Sequence, residues 1–204
     1  MKDKNHLIRL IIVLGIGIFL SYKVYQFRSS TFIFDLIVFG GIAVFGIIFW
    51  LWSINKDLKQ FKLTKKNRFL TGTIIGIIFF SIIIGINWEN NSYFNKPTLI
   101  RGYYDGDYNG SGIDFKKDGT YILENHAMGF SDFFFGFYEI EENIITLDKK
   151  DIDNVIKSNK LMIKDYLIKY PEKDKNEKYL IQITESGKEL TIESRFKIII
   201  DNRN

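Results

Sequence analysis

The residues best spaced for chemistry in this 204-residue chain are Asp105-Gly106-Asp107-Tyr108-Asn109-Gly110. A hard cation such as Ca2+ takes alternate oxygen donors on a tight turn, and Asp105, Asp107 and Asn109 match the first half of a calcium loop. The match then stops, because the twelfth position is Lys116 in place of a bidentate Glu. Asn109-Gly110 reads more simply as a hairpin turn with solvated acids beside it. His126 is one of two histidines and lies near Ser131 and Asp132. No nucleophile elbow or metal-ligand spacing surrounds it, so it reads as a loop histidine. Cysteine is absent, which excludes disulfides, thiolate metal sites, cysteine nucleophiles and a lipidated cysteine. No paired carboxylates, phosphate loop or triad stand at convincing spacing. The expectation is therefore a protein that is not an enzyme and holds no cofactor.

A second kind of chemistry is recognition. Phe130, Phe133, Phe134, Phe135, Phe137 and Tyr138 form a dense aromatic run. A strand buries only alternate side chains, so the others must face a sheet partner, a membrane surface or a ligand. Phe133, Phe135, Phe137, Tyr104, Tyr121 and Tyr138 are the candidate ligand or interface residues. Rings can stack on bases, but residues 89–204 carry 17 Lys/Arg against 21 Asp/Glu, and that balance excludes long nucleic acids.

The elements that must carry these residues come in two unlike halves. Residues 1–88 hold 11 Lys/Arg and 3 Asp/Glu, so the basic balance of the chain belongs to them. Residues 36–54 and 69–88 are uncharged and mostly apolar, long enough at about 1.5 Å per residue to cross a bilayer core of about 30 Å. Residues 7–22 are apolar apart from Arg9, and no small-x-small cleavage site follows, which points to an uncleaved first helix. The predicted spans are about 7–27, 32–54 and 69–88, with a basic loop over 55–68. Arg9 and Lys23 are expected to snorkel toward opposite interfaces. Asp35 sits one turn inside the second span. An ionisable residue there is a functional candidate, but pairing with Lys23 or Arg28 at the headgroups is the plainer reading. Gly72 and Gly76 form a small-xxx-small pair that permits close packing within the bundle or in a homo-oligomer.

Nine Lys or Arg fall on one side of three such spans: Lys2, Lys4, Arg9 and six in the loop. Lys23, Arg28 and Lys96 fall on the other. The positive-inside rule then predicts a cytoplasmic N-terminus and a C-terminal domain that is periplasmic or extracellular. Richness in Lys, Ile, Asn and Phe points to an AT-rich bacterial genome, and the three spans then place the chain in the bacterial inner membrane.

After a polar linker over 89–97, residues 98–204 switch to a period of two. Asp118-Gly119 and Glu141-Glu142-Asn143 are hairpin turns between alternating runs. Further strands are expected over 160–170, around Tyr179, Ile181 and Ile183, and over 190–198. A charged loop is expected over 171–177, and 151–159 is ambiguous. The fold class is a three-helix membrane anchor followed by an all-β antiparallel meander, closed into a small barrel or a half-open sandwich.

Gly102-Tyr103-Tyr104, Phe115-x-x-Asp118-Gly119-Thr120-Tyr121 and Gly136-x-Tyr138-x-Ile140-x-x-Asn143-x-Ile145-x-Leu147 together resemble the opening half of small lipocalin-like barrels of bacterial envelope proteins. The resemblance covers residues 98–148 and departs from the lipocalin pattern in having Tyr where Gly-x-Trp is usual. It implies a barrel with an apolar interior and a small apolar ligand. The architecture alone also suits an immunity protein that meets a protein partner from the lipid bilayer. The alternative is a membrane effector of an antiviral system with a cytoplasmic, cyclic-nucleotide-sensing barrel.

Overall fold

The computed structural model describes residues 2–106, 108–168, 174–191 and 195–203. The chain divides into two units, Met1–Tyr93 and Phe94–Asn204.

The first unit is helical. It contains α1 (Lys2–Gln26), a three-residue extended stretch β1 (Ser30–Phe32), α2 (Ile33–Thr64) and α3 (Thr71–Phe94), which follows a 3-10 turn at Asn67–Leu70. All three helices are long and apolar enough to cross a membrane. Their lipid-type surface is plain: Ile37, Val38, Phe45, Ile48, Ile77 and Phe80 are all exposed. The basic stretch expected as a loop is mostly helix. Residues 55–64 contain no Gly or Pro and several good helix formers, so α2 runs on to Thr64. It stops where Lys65 turns left-handed at φ 55°, its N–H bonding Phe61 O at 2.7 Å. At 32 residues α2 is about 48 Å long, longer than a bilayer core. The expected linker over 89–97 is also shorter, because α3 continues to Phe94 and leaves only residues 95–97 before the first barrel strand.

The second unit is an antiparallel meander: β2 (Thr98–Asp105), β3 (Asn109–Lys116), β4 (Thr120–Ala127), β5 (Phe130–Glu141), β6 (Ile144–Leu147), β7 (Lys160–Ile168), β8 (Lys175–Ile183) and β9 (Phe196–Asp201). Each strand pairs with the next, and β9 pairs back onto β2, so the eight strands close into a barrel. Closure leaves none of these strands with an open edge. The last strand starts at Phe196 and reaches Asp201, later than the alternation over 190–198 suggests. It must run that far to bring Ile200 and Asp201 opposite Arg101 and Ile100. Residues 192–194 lie outside the described residues. So do Lys169 and Tyr170 at the end of the expected strand, and residues 171–173 of the expected charged loop. That loop is shorter than expected at its other end, since β8 begins at Lys175 and holds Glu177 buried against Lys197 at 2.6 Å.

Inward positions fill the barrel. Ile100, Ile113, Phe115, Tyr121, Leu123, Ile145, Leu161, Leu180 and Phe196 are essentially inaccessible to solvent. Two glycines make room for them. A Cβ at Gly102 would stand 2.8 Å from Leu180, and one at Gly136 would stand 2.6 Å from Tyr121. Residues 151–159 resolve into a tight loop, bridged between Ile152 and Ile156, whose two isoleucines join the core. The buried Gln182 holds it: its Nε2 donates to Val155 O at 2.8 Å, and its Oε1 accepts from Lys157 N at 2.6 Å. The barrel thus carries a plug built from its own chain.

Candidate functional site

Outward positions of β2 to β5 form a different surface. Register places Arg101, Asp114, Ile122 and Phe135 in one row across the four strands, and Tyr103, Gly112, Glu124 and Phe133 in the next. Gly112 has no side chain, so the wall is hollow there. The hollow is a cleft of about 120 Å3 lined by Arg101, Gly112, Asp114, Lys116, Glu124 and Phe133, with Phe94 at its side. The Phe94 ring meets Phe133 edge-on at 5.1 Å and Phe135 at 5.8 Å.

The charges of the cleft are unevenly matched. Lys116 is buried on this outer wall, and its Nζ donates to Asp114 Oδ2 at 2.8 Å and to Phe94 O at 2.9 Å. Asp114 Oδ1 is also buried, yet accepts no hydrogen bond among the described residues. Glu124 accepts the Ser131 hydroxyl at 3.1 Å and makes no ion pair among the described residues. Arg101 is exposed and makes no ion pair among the described residues, with Asp114 its neighbour across the strands. An orphaned buried acceptor costs about 1–3 kcal/mol unless something donates to it.

The helical unit holds a second polar cluster. Asp57 of α2 is 1% exposed. Arg9 of α1 donates from Nη2 to its Oδ1 at 2.7 Å, His6 Nδ1 lies 3.4 Å from the same oxygen, and Thr73 of α3 reaches its Oδ2 at 3.5 Å. Arg9 is therefore a buried ion-pair partner, contrary to the snorkelling expected of it. A carboxylate inside the bundle gives its charge a better neighbour than the headgroups do. Asp35 pairs with Lys23 at 2.8 Å, the plainer of its two expected readings, and the Asp35 side chain is 41% exposed. Gly72 and Gly76 are both buried within the chain. A Cβ at Gly72 would stand 3.1 Å from Asp57 Oδ2, and one at Gly76 would overlap Trp50.

The aromatic candidates divide by strand parity. Tyr121 and Tyr138 belong to the barrel core, and Tyr104 packs against it. Burial pushes the Tyr138 phenol up to about 12, and its hydroxyl donates to Lys116 O at 2.7 Å. Burial, with the Asp148 carboxylate beside it, raises Tyr121 as well. Phe133, Phe135 and Phe137 point outward, and Phe137 is 65% exposed. Of the calcium-loop residues, Asp107 lies outside the described residues. Asp105 and Asn109 are exposed where β2 and β3 meet, with Gly106 N–H bonding Asn109 O at 2.8 Å to close the turn. Among the described residues no group of three acids or histidines stands together for a metal. His126 is on strand β4, not in a loop. Its ring stacks on Tyr103 at 5.8 Å, with the Tyr103 hydroxyl 3.2 Å from Nε2. Ser131 lies opposite His126 across the strands, yet its hydroxyl goes to Glu124.

Arg101, Asp114, Lys116 and Glu124 escape sequence reasoning, as do His6 and Asp57. The signal for the first group was present: strand alternation about the Asp118-Gly119 turn already pairs Gly112 with Glu124 and Asp114 with Ile122. Comparison with protein-family models, with curated proteins and with solved structures finds no match to this chain.

Proposed function

We propose that this chain is a bacterial inner-membrane recognition protein whose barrel binds through its outer wall. The observation that carries the reading is the contrast between the two faces of the barrel. The inside is lined by buried apolar side chains, to which the loop over 151–159 adds Ile152 and Ile156. The outside of β5 presents exposed Phe137 and half-buried Phe133 and Phe135 beside a cleft with unmatched charges. Exposed aromatics next to partly desolvated charges are the usual composition of a binding patch. With the N-terminus in the cytoplasm, as the Lys and Arg count favours, that patch faces the periplasm or exterior. There it meets an envelope component or a protein, as an immunity protein would.

A photo-crosslinking residue at Phe137 in the full chain, expressed in intact cells, is expected to give a discrete adduct. A silent Phe137 beside a productive crosslink from inside the barrel, at Phe134, would overturn the outer-wall reading. Sidedness is read separately with C-terminal fusions. Alkaline phosphatase is expected to be active there and a cytoplasmic-only fluorescent reporter dark. The reverse result favours the second reading, a membrane effector with a cytoplasmic cyclic-nucleotide sensor. A closed barrel directly following several spans supports that layout.

A further inference from the structure

We infer that the cleft over Gly112 binds a small zwitterion, a molecule carrying a primary ammonium and an anionic oxygen group a few bonds apart. The inference deepens the outer-wall reading and rests on it.

The argument is one of unmatched groups. On β2 stands Arg101, opposite Asp114 in the register and without an ion pair among the described residues. On β4 stands Glu124, which accepts a single neutral hydroxyl. The two charges sit on strands two apart, about 10 Å across the sheet and one row out of step, with Asp114 beside Arg101 and Gly112 beside Glu124. Deeper in, Asp114 Oδ1 is buried and lacks a donor, while Lys116 is already committed to Asp114 Oδ2 and the Phe94 carbonyl. An ammonium supplies three donors, enough for the free oxygen of Glu124, with the negative Asp114 side chain beside it. An anionic group at the other end of the same molecule meets Arg101 in a charge-assisted pair. A plain anion leaves Glu124 unanswered, and a plain cation leaves Arg101 so. The volume of about 120 Å3 is several times what one water needs, and the Phe94 and Phe133 rings shield it.

Gly112 provides a clean lever. A Cβ there meets nothing closer than 3.8 Å, so a side chain fits the backbone and occupies the cleft. Arg101 is exposed and its loss does not threaten the fold. The probes are glycine, β-alanine and phosphoethanolamine, with acetate, methylammonium and inorganic phosphate as single-charge controls. They are titrated into the full chain in detergent by calorimetry and thermal melting. The zwitterions are expected to raise the melting temperature in proportion to the logarithm of concentration, and the controls to leave it unmoved. Arg101→Ala and Glu124→Gln are expected to weaken binding about ten-fold or more, the value of one charge-assisted bond. Gly112→Val is expected to abolish binding with the melting temperature of the empty protein retained. Nanodiscs with and without phosphatidylethanolamine separate the sources. A lipid headgroup in the cleft removes the response to free phosphoethanolamine, and a soluble ligand leaves that response intact. Absence of any zwitterion response in both detergent and lipid-free-of-amine nanodiscs overturns the assignment. So does a response to acetate or methylammonium as large as that to glycine. Either failure is independent of the Phe137 adduct, so the cleft and the outer-wall reading fall separately.

Discussion

The two units place their polar groups in opposite ways. In the helical unit the apolar side chains face out and the charged cluster of Asp57, Arg9 and His6 is inside. In the barrel the apolar side chains face in, and the charged cluster of Arg101, Asp114, Lys116 and Glu124 lies on the outer wall. One rule produces both. Apolar surface goes to whichever medium does not solvate polar groups, and a charge taken from water needs a partner. The difference is in the completeness of the two carboxylates. Both Asp57 oxygens have partners, drawn from the other two helices, although Arg9 Nε lacks an acceptor among the described residues; Asp114 keeps one oxygen without a donor. The first carboxylate fastens helices to one another, and the second stands beside the cleft proposed above as a binding site.

That comparison breaks first at Asp57. Asp57→Leu alone is expected to cost the helical unit about 3–5 kcal/mol, because it strands the buried Arg9. Arg9→Met together with Asp57→Leu is expected to restore most of it, since an apolar pair of similar volume replaces a buried ion pair at little cost. Unfolding titrations of the full chain from mixed micelles check this. A double variant no better than the single would show that charge pairing is not what couples the helices.

Parity on the barrel is tested next. Phe115→Ala is expected to cost about 3–5 kcal/mol by opening a cavity in the core, and Phe137→Ala to stay within about 0.5 kcal/mol. Thermal melts of the two variants should therefore separate widely, and equal losses would contradict the inside–outside assignment.

Smaller effects sharpen the picture. Lys96 and Thr120 hold Asp118 at about 2, below its usual 3.8, and Arg203 with Lys178 does the same for Asp201. Unfolding lets these carboxylates take protons that the folded barrel refuses. Their stabilisation is thus complete above about pH 4 and lost as pH falls toward 2. The Asp118 side chain is 46% exposed, so solvent screens much of its share. Melting temperature is expected to fall over that window, less steeply in Asp118→Asn and Asp201→Asn. At the bottom of the scale, Asp35→Asn is expected to change stability by less than about 1 kcal/mol, as for other partly exposed pairs.

Much of this arrangement was legible in the chain itself. Three apolar runs, period-two alternation and the Asp118-Gly119 turn are local signals, and local signals survive without neighbours. Bounds were less legible where propensity and polarity disagree. Residues 55–64 look like a loop by charge and form helix by propensity. The aromatic run on β5 showed that something outside the core had to be met, but not that Tyr121 and Tyr138 were spoken for by the interior.

The amino-acid order alone determined that a helical part apolar enough to span a membrane precedes a β meander, because hydropathy and side-chain period are properties of neighbouring residues. Tertiary structure alone decided that β9 closes on β2, that Asp57 meets Arg9 across 48 positions, and that four charges from three strands surround a glycine. Those are encounters between distant segments, and their geometry is set by closure of the barrel and packing of the helices, which no local pattern encodes.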